Sequence, residues 1–69
     1  MNKPDIIEQL EALVDKHGLL HVITGLETLC AEKAEHIRHN WQDTQTARTW
    51  DNASKAIGVA ARKESVQSL

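Results

Sequence analysis

The chain has 69 residues, of which 41% are hydrophobic and 26% charged, and its formal net charge is −2. This length predicts one domain, residues 1–69, and the ordinary globular composition excludes a chain that is disordered throughout. The net charge is weakly negative, so the chain as a whole does not attract nucleic acid electrostatically. No apolar run reaches the roughly 18 residues that a membrane-spanning helix needs.

Cysteine usage indicates a reducing compartment. The chain has one cysteine, Cys30, so no disulfide can form within it, and we expect a cytoplasmic protein. Without a disulfide, a chain this small often gains stability by oligomerising. Cys30 falls on an apolar helical stripe, which predicts a small buried side chain rather than a reactive thiol.

The first predicted helix covers about residues 4–16. Pro4 suits a first helical turn, and Gly18 is predicted to end the helix in the position just after it. Its apolar residues share one stripe: Ile6, Leu10, Leu13 and Val14, with Ile7 at the edge.

The second predicted helix covers about residues 19–40. Its apolar residues recur at helical spacing: Leu19, Val22, Ile23, Leu26, Leu29, Cys30, Ala34, Ile37 and Trp41. Thr24 and Glu27 also match a capping box, so a break near Thr24 is an alternative. The stripe keeps its phase across Gly25, and this favours one continuous helix.

The third predicted helix covers about residues 44–63, after a turn at residues 41–44 in which Asp43 or Thr44 can cap the helix. The residues expected to face the second helix recur at the spacing 3, 4, 3, 4: Ala47, Trp50, Ser54, Ile57 and Ala61. The pattern then decays, which predicts a frayed tail at residues 64–69.

The short turn makes the second and third helices antiparallel neighbours and predicts an all-α fold built on a long helical hairpin. Centring the turn on Gln42 pairs residue i with roughly residue 84 − i. Trp50 then lies opposite Ala34 and Ala47 opposite Ile37, so that large side chains face small ones. The shorter first helix is expected to pack on the open-end half of the hairpin, and two chains to assemble as a dimeric helical bundle.

The hairpin tip carries the heaviest apolar side chains. At 1.5 Å per residue the first helix is about 20 Å long and the second roughly 33 Å, so the first cannot cover the tip. Enclosing one Trp ring is worth about 4–6 kcal/mol, which makes an uncovered tip unfavourable. We therefore expect a partner or dimer interface formed by Ile37, Trp41, Trp50 and Ala47.

No catalytic constellation stands out in the sequence. Nucleophile elbows, phosphate loops, dinucleotide fingerprints and zinc motifs are missing, so we expect no enzyme activity, no catalytic residue and no cofactor. His36 and His39 have the spacing of a helical ligand pair, but surface pairing with Glu32 and Glu35 explains it equally well. We expect the histidines and Cys30 to bind no metal.

Charge is unevenly distributed along the chain. Residues 1–35 hold seven acidic and three basic side chains, whereas residues 36–69 hold three acidic and five basic ones. An acidic stripe on the first helix comprises Glu8, Glu11 and Asp15. A basic stripe on the third helix comprises Arg48, Lys55 and Arg62. We interpret the two stripes as attracting each other within or between chains.

The middle third of the chain holds a distinctive run: Leu29, Cys30, residues 33–38 (Lys-Ala-Glu-His-Ile-Arg) and residues 40–43 (Asn-Trp-Gln-Asp), continued by Ala47, Trp50 and Ala53. In this run, and most specifically in its Asn-Trp-Gln-Asp turn, the chain resembles a group of short uncharacterised helical proteins of bacteria and phages. The resemblance implies a small all-helical cytoplasmic protein and no particular activity.

Two functions follow as hypotheses. The first is a non-enzymatic protein-interaction module, homodimeric, that binds a protein partner through the hairpin tip. In a phage, such a module would suit inhibition of a host defence complex. The alternative is a small nucleic-acid-associated regulator, whose contacts would be Arg38, Arg48, Lys55, Arg62 and Lys63.

Overall fold

The computed structural model of the chain describes residues 5–69. These residues form four helices and no strand: α1 (Asp5–His17), α2 (Leu19–Asn40), α3 (Thr44–Ala61) and α4 (Glu64–Gln67). The predicted all-α fold is confirmed. The predicted helix start at Pro4 lies outside the described residues. In the described part of the chain, every helix is too short or too polar to cross a membrane.

The long helix α2 runs unbroken through Gly25, as the phase of its apolar stripe predicts. Thr24 does not begin a new helix. Its hydroxyl donates instead to the carbonyl oxygens of Leu20, at 3.0 Å, and His21, at 3.2 Å. These bonds occupy the hydroxyl within the helix, so it is not available as a cap.

The predicted turn at residues 41–44 is confirmed, and three residues build it. The Trp41 N–H donates to the Ile37 carbonyl at 3.0 Å and closes α2. Gln42 has a φ of 53°, in the left-handed region that reverses the chain. Asp43 then caps α3, since its carboxylate accepts hydrogen bonds from the Thr46 N–H at 3.1 Å and the Thr46 hydroxyl at 2.7 Å. The bond from the Thr46 hydroxyl is the main cause that lowers the Asp43 pKa below its ordinary value of 3.8, and the bond from the Thr46 backbone adds to it.

The lowered pKa of Asp43 gives the cap a defined pH dependence. A group whose pKa is depressed by folding stabilises the fold above its unfolded pKa, and this contribution is lost as pH falls through the folded-state value. The melting temperature of the unmodified chain should therefore fall more steeply below pH 3.8 than that of Asp43→Asn, which keeps an oxygen able to cap. Thermal unfolding followed by circular dichroism across the acidic range measures this. Parallel curves for the two proteins would contradict it.

The helices α2 and α3 pack through a seam of small side chains. Ala34 and Ala47 are fully buried, Cys30 is 7% exposed and Ala61 4%. Gly58 is also buried in this seam. Because none of these side chains is large, the two helices can approach closely along their whole overlap.

Contacts across the seam agree with the predicted register. The predicted partner of residue 33 is residue 51, and the Lys33 ammonium lies 5.9 Å from the centroid of the neighbouring Trp50 ring. The predicted partner of residue 27 is residue 57. The Ser54 hydroxyl donates to the Glu27 carbonyl at 2.8 Å, and Gly58 faces the Glu27 carboxylate.

The seam should reject larger side chains. Ala34 has no exposed surface, so Ala34→Leu must separate the helices or strain them, at a cost of about 1–3 kcal/mol in the free energy of unfolding. The matched control is Ala31→Leu on the exposed side of the same helix, where we expect a change within about 0.5 kcal/mol. Urea unfolding measures both. Equal effects of the two substitutions would contradict a tight seam.

The placement of α1 agrees with the prediction only in part. Gly18, with a φ of 88°, separates α1 from α2 as expected, and its N–H donates to the Val14 carbonyl at 2.8 Å. However, α1 approaches only α2, and none of its described residues has a Cα within 8 Å of one in α3. The two helices separate from Gly18 and leave an open groove between them, which we call the fork. The first helix therefore lies beside the open-end half of α2, as predicted, but not against α3. Attraction between the acidic and basic stripes stays a prediction.

The C-terminal residues form a short helix where a frayed tail was predicted. Lys63 has extended backbone, with φ −68° and ψ 138°, so α3 ends at Ala61, two residues earlier than predicted. The Lys63 carbonyl then accepts from the N–H groups of Val66 and Gln67, at 3.1 and 3.0 Å. These bonds start α4, which folds back against α2 and α3.

Candidate interaction surface

At the hairpin tip, Trp41 is the outstanding feature. It follows the last residue of α2, and 73% of its surface is exposed. Ile37, one turn earlier, is half-buried, and the polar residues Asn40 and Gln42 beside the indole are exposed. The tip thus presents a large apolar ring with a polar surround, which is the usual composition of a protein-binding site.

The four residues predicted as one interface do not lie together at a surface. Ala47 is fully buried in the seam, so its side chain is not accessible to a partner and that part of the prediction is wrong. Trp50 lies about two turns into α3, where it is half-buried beneath the Lys33 ammonium. Trp41 is thus far more exposed than Trp50.

A second apolar surface lies in the fork between α1 and α2. A groove of about 420 Å³ is open to solvent there, and its lining is mainly apolar: Leu10, Leu13, His17, His21, Val22, Gly25, Leu26 and Leu29. Leu13, Leu26 and Leu29 are 45%, 40% and 47% exposed. In α1, none of the described side chains is buried.

Sequence reasoning missed this groove, although a signal for it was present. The apolar stripe of α2 is too wide for one neighbouring helix. Cys30 and Ala34 face α3, whereas Leu26 and Leu29 lie beside them on the flank. A width beyond the roughly 100° of a surface helix indicates a second neighbour.

The five basic residues predicted for nucleic-acid contact fall into two groups. Arg38 is already engaged, since its guanidinium lies 2.5 Å from the Asp51 carboxylate and 3.1 Å from that of Glu35. Arg48, Lys55, Arg62 and Lys63 are exposed. The first three are spaced seven residues apart and follow one side of α3.

Three histidine side chains have contacts close in the chain, two within α2 and one between α2 and the end of α1. His39 lies 2.6 Å from the Glu35 carboxylate, His36 is 3.0 Å from the Asn40 amide, and His21 is 3.0 Å from the His17 carbonyl. Cys30 is buried in the seam as predicted. Among residues 5–69, the structure brings together no group of three side chains able to hold a metal ion. The absence of metal binding stays a prediction.

Comparison of the chain with protein families, curated proteins and solved structures finds no match.

Proposed function

We propose that the chain is a small non-enzymatic protein-interaction module that forms a homodimer and binds a protein partner through the hairpin tip. The observation that carries the proposal is the 73% exposure of Trp41 at the turn. Tryptophan is the residue type most enriched among side chains that dominate binding energy, and an exposed indole loses much apolar surface when a partner encloses it.

The architecture supports rigid presentation of this indole. The capped and tightly packed hairpin fixes the turn from both sides, through the closing bond of α2 and the Asp43 cap of α3. A turn whose backbone is already fixed loses less freedom on binding than a mobile loop. Such a module would suit inhibition of a larger complex by covering one of its surfaces, which is the role we propose for a phage-borne copy.

The proposal includes a reducing, cytoplasmic setting. The single cysteine, Cys30, is a buried thiol in the seam. Secreted chains of this size are commonly held together by several disulfides, for which this chain lacks the cysteines.

Removal of the tip indole tests the proposal. The tagged unmodified chain and tagged Val59→Ala should capture the same partner equally well. Val59→Ala is the control, because it shortens an apolar side chain on α3 that is 50% exposed. Trp41→Ala should lose that partner by tenfold or more, since a binding hot spot is worth about 2 kcal/mol. Its helicity should be unchanged, because the exposed ring contributes little to the fold. Equal capture by Trp41→Ala would contradict the proposal.

The alternative, a nucleic-acid-associated regulator, is supported by one observation: the exposed basic stripe of Arg48, Lys55 and Arg62 on α3. If these three residues contact phosphates of duplex DNA, the logarithm of the binding constant should fall with the logarithm of salt concentration, with a slope of about −2.7. Lys55→Ala should then reduce this slope by about 0.9. A salt titration with duplex DNA measures both values. Absence of binding at low salt would contradict the alternative.

A further inference from the structure

An apolar surface continues from the fork onto α3. Leu26, Leu29 and Lys33 share one side of α2, because their spacing is 3 and 4. The Lys33 ammonium lies over the Trp50 ring, so Trp50 projects on that same side of the hairpin. Ile57, seven residues after Trp50, shares its side of α3. We call this surface the open face and define it by six residues: Leu10, Leu13, Leu26, Leu29, Trp50 and Ile57.

The open face is the uncovered side of a flat molecule. Its extents are 38 × 34 × 16 Å, so it is less than half as thick in one direction as in the other two. Folded domains are built from at least two packed layers, because a helix must bury its apolar stripe against another element.

Two whole-molecule measures show that the chain is less compact than a typical domain of its length. The radius of gyration is 14.2 Å, against about 11 Å for a compact chain of this length. The accessible surface is 5436 Å², against about 4,300 Å² for a compact chain of this mass. The excess is about 1,100 Å², and one partner in a standard protein interface buries about 800 Å².

We propose that the open face is covered by a second copy of this chain, packed open face to open face in a symmetric dimer. This inference rests on the homodimer of the proposed function and gives it a location that leaves the tip free. Two open faces joined in this way enclose one shared apolar core, and the excess surface of each copy is enough for its half of the interface.

A second copy fits better than other occupants. The buried apolar residues of the described chain are all small, so the fold itself gains a core of large side chains only when the open face is covered. A second copy of the chain is present wherever the chain is made, and it can cover the open face. The basic stripe points away from the open face, because Arg48 and Lys55 each precede an open-face residue by two positions and lie on the opposite side of α3.

Sedimentation equilibrium of the full chain tests the proposal. We expect a mass about twice 7.7 kDa at micromolar concentration, and a melting temperature that rises with protein concentration. A 7.7 kDa particle at every concentration, with a constant melting temperature, would overturn the proposal.

Two matched substitutions locate the interface. Leu29→Glu places a charge on the open face, whereas Val59→Glu places one on the other side of α3, and the two side chains are similarly exposed at 47% and 50%. We expect Leu29→Glu to halve the mass or to lose helicity through loss of the dimer, and Val59→Glu to do neither. A dimer that survives Leu29→Glu would overturn the proposal.

The indoles provide a readout that does not depend on these substitutions. In Trp41→Phe the remaining Trp50 should shift its emission to the red when the dimer is diluted to monomer. In Trp50→Phe the remaining Trp41 should keep its exposed emission throughout. The reverse pattern would place the dimer contact at the tip and overturn the open-face interface. Capture of a partner by dimeric wild-type chain but not by Trp41→Ala tests the tip separately.

Discussion

The hairpin of α2 and α3 depends on a seam in which the fully buried side chains, Ala34 and Ala47, are alanines. Small side chains let the two helix backbones approach closely, and a close approach secures the hydrogen bond from Ser54 to the Glu27 carbonyl and the ion pair between Arg38 and Asp51. The register of these contacts sets where every other side chain of the two helices lies. The seam therefore determines the surface as well as the core.

A narrow seam has a consequence for the large apolar residues. Leu26, Leu29 and Trp50 cannot enter a space that alanines fill, so they lie along one flank of the hairpin. The fork at Gly18 turns α1 away from α3, and the leucines of α1 are left on that same flank. Close packing of two helices thus creates an apolar surface that a single chain does not cover. We regard this surface as the structural basis of the proposed dimer.

Three surfaces of the chain are built from different residues. The tip presents Trp41, the open face presents leucines and Trp50, and the exposed side of α3 presents Arg48, Lys55 and Arg62. A dimer formed through the open face would carry two tips. Once one tip has bound to a partner assembly with two sites, the second tip is held near the second site, which raises its effective concentration there.

The sequence alone determined the α2–α3 hairpin because its signals are local. Apolar spacing within α2, the capping chemistry of Asp43 and the length of the turn depend on residues close in the chain, and together they set the register. Burial of Cys30 followed from the same stripe. Only the tertiary structure decided how α1 leaves Gly18, since glycine can adopt many backbone angles and the sequence does not show that φ is 88° here. It also decided that Ala47 is buried, that Trp50 lies on the open face rather than at the tip, and that α4 folds back. Each of these depends on which side of a helix packs against an element distant in the chain. Helical spacing predicts which residues share a side, but it does not predict which element covers that side.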